Sequence, residues 1–235
     1  MEIGIDLKKW IESSRVKVVL GHFGTGKTEV SVNIAMLLGC MKIPYILADL
    51  DVVDPYFRSR EQKEKIEASG GILITSSQAC MDADVPSMPA EVASVFDRHD
   101  RYAVIDIGGD PSGARVLAQY RMRIEREHPE VICVLNANRP LTKTADEAAG
   151  YIHGIEQASG IRITGLINNT HLINETSIED IERGAQIARE VSEMTGIKLI
   201  GHSVMRRLAA QTEEILKEEE FVLPMDIYMK RPWEV

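Results

Sequence analysis

The chain has 235 residues, 44% hydrophobic and 27% charged, enough to bury one sizeable core, which excludes an intrinsically disordered chain. A formal net charge of -9 at pH 7 opposes non-specific attraction to nucleic acid or to an anionic membrane surface. Cys40, Cys80 and Cys133 are widely spaced with no C-x-x-C pair, so neither a disulfide framework nor a zinc or iron–sulfur site is signalled. With no signal-peptide pattern and no apolar run of membrane-spanning length, a cytoplasmic setting is expected.

In chain order, the first clear element is the run V-K-V-V-L at residues 16–20, whose β-branched content predicts a strand buried in a parallel sheet. It leads into G-H-F-G-T-G-K-T at residues 21–28, which satisfies G-x-x-x-x-G-K-[ST] through Gly21, Gly26, Lys27 and Thr28. Beyond Lys27, the apolar residues Val30, Ile34, Leu37 and Leu38 recur at helical spacing and Gly39 is placed to end the helix. Strand, glycine-rich loop and helix in this order form a phosphate cradle. Backbone N–H groups converge on phosphate oxygens, the Lys reaches the terminal phosphates and the hydroxyl serves Mg²⁺. The residues expected against a nucleotide are therefore Gly21, Phe23, Gly24, Thr25, Gly26, Lys27, Thr28 and Glu29.

Further strands are predicted over residues 44–48, 71–75, 102–107, 131–136, 161–168 and 197–201, and helices over 58–68, 89–98, 112–127, 144–159 and 177–195. The alternation predicts a doubly wound, mostly parallel α/β sheet with helices on both faces. No linker or internal repeat interrupts residues 1–235, which predicts a single domain. Residues 76–89 read as a long loop, a lid or partner surface as readily as plain packing. Residues 208–220 carry helical spacing at Leu208, Ile215 and Leu216 and predict a solvated outer helix. Residues 225–235 are too short and Pro-interrupted for a membrane-binding helix.

Ligands of open α/β sheets sit at the carboxyl ends of the strands. Asp49, Leu50 and Asp51 follow one predicted strand, and Asp106, Ile107, Gly108, Gly109 and Asp110 close another. Mg²⁺ takes few carboxylates directly, so Thr28 with one or two Asp residues fits that ion, while a cap or turn role suits any single Asp equally.

With phosphate loop, D-x-D, D-x-G-G, L-I-N-N and I-G-H in order, nearly the whole chain resembles the MinD/ParA/CobQ/CobB-type branch of P-loop nucleotide hydrolases, the SIMIBI class. The resemblance implies a sheet of seven or eight strands and ATP with Mg²⁺ as cofactors. Lys27 would hold the β- and γ-phosphates and act in catalysis, with Thr28, Asp49 and Asp106 around the metal. Asp51 would orient or activate the attacking water, and Gly108 and Gly109 would belong with Asp51 to the switch. Many such proteins carry a lysine where this chain has His22, and that lysine crosses a nucleotide-sandwich homodimer. Here another cation, Arg58, Arg60 or Arg115, would supply the charge, or turnover would be slow without a partner; alternatively His22 only decorates the loop.

The N-K-x-D pattern of guanine readers is missing. An Asn amide offers donor and acceptor together, which suits adenine, so Asn168 or Asn169 is a candidate base contact and a turn role is the alternative. Three kinds of function are then open. One is a slow ATPase acting as a switch or maturation factor for a protein partner. Another is a small-molecule ATP-dependent enzyme resembling dethiobiotin synthetase or cobyrinate amidases. The third, a positioning factor on DNA or membrane, fits the charge worst. Residues 54–61, D-P-Y-F-R-S-R-E, would offer a partner surface or clamp a small anionic substrate, or simply start a helix.

Overall fold

A computed structural model describes residues 3–51, 62–75, 90–217 and 219–229. The predicted β-branched runs become β1 (Val16–Leu20), β2 (Tyr45–Asp49), β3 (Gly71–Thr75), β4 (Tyr102–Asp106), β5 (Glu130–Leu135), β6 (Gly165–Asn168) and β7 (Lys198–Met205), joined by β8 (Phe221–Met225). They form one eight-stranded sheet in the order β3-β2-β4-β1-β5-β6-β7-β8, with every neighbouring pair parallel.

The helices are α1 (Ile5–Ser13), α2 (Lys27–Cys40), α3 (Lys63–Ala68), α4 (Ala90–Asp97), α5 (Pro111–Arg126), α6 (Ala145–Ser159), α7 (Ile178–Thr195) and α8 (Ala209–Glu213). Right-handed crossovers decide which face each one covers. Steps toward the β3 edge, from β1 to β2 to β3, put α2 and α3 on one face. Steps toward the β8 edge put α4, α5, α6 and α7 on the other. Strand period then sorts the core: Val16, Val18 and Leu20 pack with α4 to α7, and Val19 packs with α1 and α2. The sheet is thus the doubly wound α/β arrangement that the alternation predicts.

Local chemistry explains the helix starts. The Thr144 side chain accepts the Glu147 N–H and Glu147 reaches back to the Thr144 N–H, while Ser177 and Asp180 do the same for α7. Gly160 and Gly196 end those helices in the left-handed conformation.

Two expectations change. The strand predicted over 161–168 is ordered as a strand only from Gly165, because the Thr164 hydroxyl takes the Val131 N–H at 2.9 Å in place of a backbone partner. The helix predicted over 208–220 contracts to α8 after a 3₁₀ turn at Arg206–Leu208; Ile215 and Leu216 still pack inward, against Ile181, Val204, Leu208 and Val222. The chain then makes β8, where Pro224 fits because an edge strand tolerates a missing N–H. The predicted helix start at 58–61 and the loop at 76–89 lie outside the described residues.

Candidate nucleotide site

β1 lies between β4 and β5 where the strand order reverses, so the loop that leaves it opens into the crevice at the carboxyl edge of the sheet. Loop residues Gly24 and Gly26 have φ of 78° and 88°, a left-handed conformation that side chains disfavour. Gly26 caps α2, and a Cβ there would collide with Asn169 Nδ2. A Cβ on Gly21 would meet Thr25 Oγ1 at 2.6 Å and the Val134 carbonyl at 2.8 Å. The Thr25 N–H and hydroxyl both donate to the His22 carbonyl, at 3.1 and 2.8 Å, and close the loop. Lys27 and Thr28 then open α2, both buried.

The acidic residues converge on Lys27. Asp49 and Asp106 occupy the same register on neighbouring β2 and β4. Asp51 Oδ2 lies 2.5 Å from Lys27 Nζ with both side chains largely buried, and the Asp51 N–H donates to Asp49 Oδ1 at 3.2 Å. Asp106 is buried. Its Oδ1 accepts from Ser31 Oγ at 3.2 Å, and its Oδ2 has no hydrogen-bond partner among the described residues. Burial pushes the Asp106 carboxyl up to about 7; the charges of Asp49 and Asp51 add to that, and Lys27 and the Thr28 hydroxyl oppose it. A buried carboxylate oxygen lacking a donor, beside Asp49 and Thr28, is a donor set suited to a hard divalent cation. Among the described residues no group of three or more His, Cys, Asp or Glu side chains could hold a metal, so phosphate oxygens would have to complete the shell.

Gly108 and Gly109 follow β4 directly. A Cβ on Gly108 would sit 3.0 Å from Asp51 Oδ1, and one on Gly109 would overlap the Gly21 carbonyl, so this segment touches both the acidic cluster and the phosphate loop. Asp110 turns away to cap α5, accepting the Gly113 N–H at 2.9 Å.

On the other side of Lys27 a cavity of about 220 Å³ runs from Gly24, Gly26, Lys27 and Thr28 toward β7 and the segment after β8. The two candidate Asn residues part company here. Asn168 is buried with its amide spent: Nδ2 donates to the Ile181 carbonyl and to His202 Nδ1, and Oδ1 accepts the Thr170 N–H. Asn169 borders the cavity, and its Nδ2 donates to the Thr25 carbonyl at 2.7 Å, which leaves Oδ1 as its acceptor. Glu29 is also a wall residue, but its carboxylate accepts the Tyr228 and Met229 N–H groups at 2.6 and 3.2 Å. Burial raises the Glu29 carboxyl against the pull of those two donors.

No family model matches the chain, and no curated protein matches it. Solved structures do. FtsY from Mycoplasma mycoides aligns over 78% of this chain and 57% of its own, at 14% identity and a TM-score of 0.53. FtsY from Thermotoga maritima aligns over 80% and 61%, at 22% identity and a TM-score of 0.52. FlhF complexed with GTP/Mg(2+) aligns over 82% and 67%, at 17% identity and a TM-score of 0.51. The chain therefore spans less than two thirds of either FtsY. The fold is the one shared with these FtsY and FlhF structures.

Within this fold, His22 faces α6. Its ring meets Tyr151 edge-on at 5.6 Å, its Nδ1 is buried with no hydrogen-bond partner among the described residues, and the Tyr151 hydroxyl donates to the Gly109 carbonyl at 3.0 Å. These residues, with Phe23, Leu141, Asp51 and Lys27, border a second cavity of about 420 Å³. Phe23 and Leu141 remain exposed at its rim. Of the cations proposed to offset His22, Arg115 lies exposed on α5, and Arg58 and Arg60 lie outside the described residues. A cation that the sequence reading did not single out is the one on the loop: Arg139 Nε donates to the Gly24 carbonyl at 2.9 Å. Its only sequence signal was position, four residues past the end of β5.

Proposed function

We propose that the chain is a cytoplasmic, Mg²⁺-dependent ATP-binding domain and a slow ATPase that acts as a nucleotide-dependent switch or maturation factor for a protein partner. The observation that carries this reading is the Lys27 ion pair with Asp51 at the mouth of the phosphate loop. A terminal phosphate offers Lys27 a stronger acceptor than one carboxylate does. Lys27 then moves its hydrogen bonds to the phosphate, and Asp51 is released beside Gly108 to accept a hydrogen bond from the attacking water. Exchange of one partner for another at Lys27 also disturbs the Gly108 and Gly109 backbone, the route by which a partner would sense the nucleotide. Thr28, Asp49 and Asp106 would hold Mg²⁺, which when bound offsets charge on the phosphate oxygens.

ATP is favoured over GTP by the base end of the cavity, although FlhF was solved with GTP/Mg(2+). Guanine presents N–H donors that call for a carboxylate. Both acidic wall residues are engaged elsewhere, Glu29 by the Tyr228 and Met229 N–H groups and Asp226 by Arg206. Asn169 Oδ1 is left to accept from the adenine amino group.

A second reading, a small-molecule ATP-dependent enzyme resembling dethiobiotin synthetase or cobyrinate amidases, is favoured by the His22 and Tyr151 cavity, which shares Lys27 with the nucleotide cavity. Calorimetric titration with Mg-ATP and Mg-GTP, and phosphate release over a protein concentration series, test both readings. ATP is expected to bind more tightly than GTP. The Asp51→Ala variant is expected to bind ATP but to release phosphate about a hundredfold more slowly. Release that rises more steeply than protein concentration marks a homodimer. Absence of ATP binding, or an Asp51→Ala rate equal to wild type, rejects the switch ATPase.

A further inference from the structure

Resting on the nucleotide-binding reading, we infer that Arg139 supplies the site with a second cation whose ligand is the phosphate chain of the nucleotide. It stands on the turn between β5 and α6, and that turn is fixed before any ligand arrives. The Arg139 N–H donates to the Asn136 carbonyl at 3.0 Å, and the buried Thr142 hydroxyl donates to the same carbonyl at 2.7 Å. The Ala137 N–H donates to Thr170 Oγ1 at 3.0 Å, and Asn138 Nδ2 reaches the His171 carbonyl at 3.3 Å, so the neighbouring strand end braces it as well.

From this base the guanidinium reaches the phosphate loop at Gly24. Its Nε, Cδ and Cζ are 3.3, 3.5 and 3.7 Å from where a Cβ on Gly24 would be. A Cβ there would be in tight contact with the guanidinium, and glycine suits the position because its φ is 78°. The Nε–H is spent on the Gly24 carbonyl, and among the described residues Arg139 forms no ion pair. A guanidinium has five donors, so four remain on the two terminal nitrogens. Lys27 and Arg139 are the two Lys or Arg side chains that border the 220 Å³ cavity. An exposed arginine held by one nitrogen on a phosphate-binding loop is arranged for the planar, forked donation that phosphate oxygens accept. Fixing the side chain in advance reduces the ordering cost of binding. In this chain His22 leaves position 22 without a fixed charge, and Arg139 places one on the same loop from the same polypeptide.

The alternatives are that Arg139 only latches the loop through Gly24, or that it stacks on the base. Arg139→Gln removes the charge and keeps a donor for the Gly24 carbonyl; Arg139→Lys keeps the charge and loses the fork. Affinities for Mg-ATP and for adenosine are measured by calorimetry on the full chain at two salt concentrations, with Lys27→Ala as reference and thermal unfolding as a check on folding. Arg139→Gln is expected to weaken Mg-ATP binding about tenfold or more, to flatten its salt dependence and to leave adenosine unchanged, while Arg139→Lys recovers most of the ATP affinity. Unchanged Mg-ATP affinity in Arg139→Gln, or an equal loss for adenosine, overturns the inference while the ATP-binding reading stands. If wild type binds no Mg-ATP and matches Lys27→Ala, both fall together.

Discussion

At the scale of single residues the site carries an unfavourable group that binding would relieve. Asp106 is buried next to Asp49 and Asp51, with no hydrogen-bond partner for Oδ2 among the described residues, and a buried acceptor without a donor costs the fold free energy. Asp106→Asn removes the charge, keeps an acceptor for Ser31 and adds donors. In the absence of nucleotide it is expected to unfold at higher urea than wild type, by about 1 kcal/mol, while its Mg-ATP affinity collapses. Equal stability of the two proteins would show that Lys27 already compensates the carboxylate. Residue by residue, the phosphate loop was readable because its glycines answer to backbone geometry alone. The choice between Asn168 and Asn169 was not. It depends on His202 and Ile181, which reach Asn168 from β7 and α7 and could not be placed beside it by spacing. Arg139 was missed for a similar reason, since its contact with Gly24 joins positions 115 residues apart.

At the scale of elements, the edge formed by α7, β7 and the turn before β8 is held by charge. Glu220 accepts from Arg189 at 3.1 and 2.7 Å and faces His202 Nε2 at 3.0 Å. Because Asn168 donates to Nδ1, His202 carries its proton on Nε2 and donates it to Glu220. Burial alone would raise the Glu220 carboxyl, but the hydrogen bonds from His202, Arg189 and the Lys217 N–H outweigh it and hold the group at about 2. A carboxyl depressed in the fold contributes stability above its unfolded value near 4.5, and that contribution is lost as pH falls toward 2. The stability gap between wild type and Glu220→Gln is therefore expected to narrow between pH 4.5 and 2 in urea titrations; a gap independent of pH would show that the cluster acts through packing. Elements with strong local signals were legible to within a residue or two, as the caps at Thr144 and Ser177 illustrate. β8 was not, because Pro224 argues against a strand unless the strand is known to lie at an edge, and edge position is a property of the finished sheet.

For the molecule as a whole, ligand and fold are linked by mass action. Mg-ATP at a hundred times its Kd is expected to stabilise wild type by about 2.7 kcal/mol, read as a rise in Tm, and to leave the Tm of Lys27→Ala unchanged. A shift of equal size in both would place binding away from the phosphate loop. The parallel architecture followed from the alternation of strands and helices, and the handedness of crossovers then distributed α2 to α7 over the two faces. The far wall of the 220 Å³ cavity was out of reach of such reasoning, because it comes in part from residues 225–229, far from the motif in sequence.

That wall also has a history in time. Trp10 of α1 stacks on Phe221 of β8 at 4.4 Å, Asn33 of α2 exchanges two hydrogen bonds with the backbone of Asp226, and Gln62 reaches the Tyr228 carbonyl. During synthesis, the phosphate loop leaves the ribosome about two hundred residues before these partners, so a nascent chain holds its lysine and its loop long before it can complete the cavity beside them. Closing contacts between segments this far apart in sequence is slow relative to local folding. On the nucleotide-binding proposal, competence would thus be acquired late, when β8 docks, and a ribosome stalled before residue 221 would display a phosphate loop without that wall of the cavity.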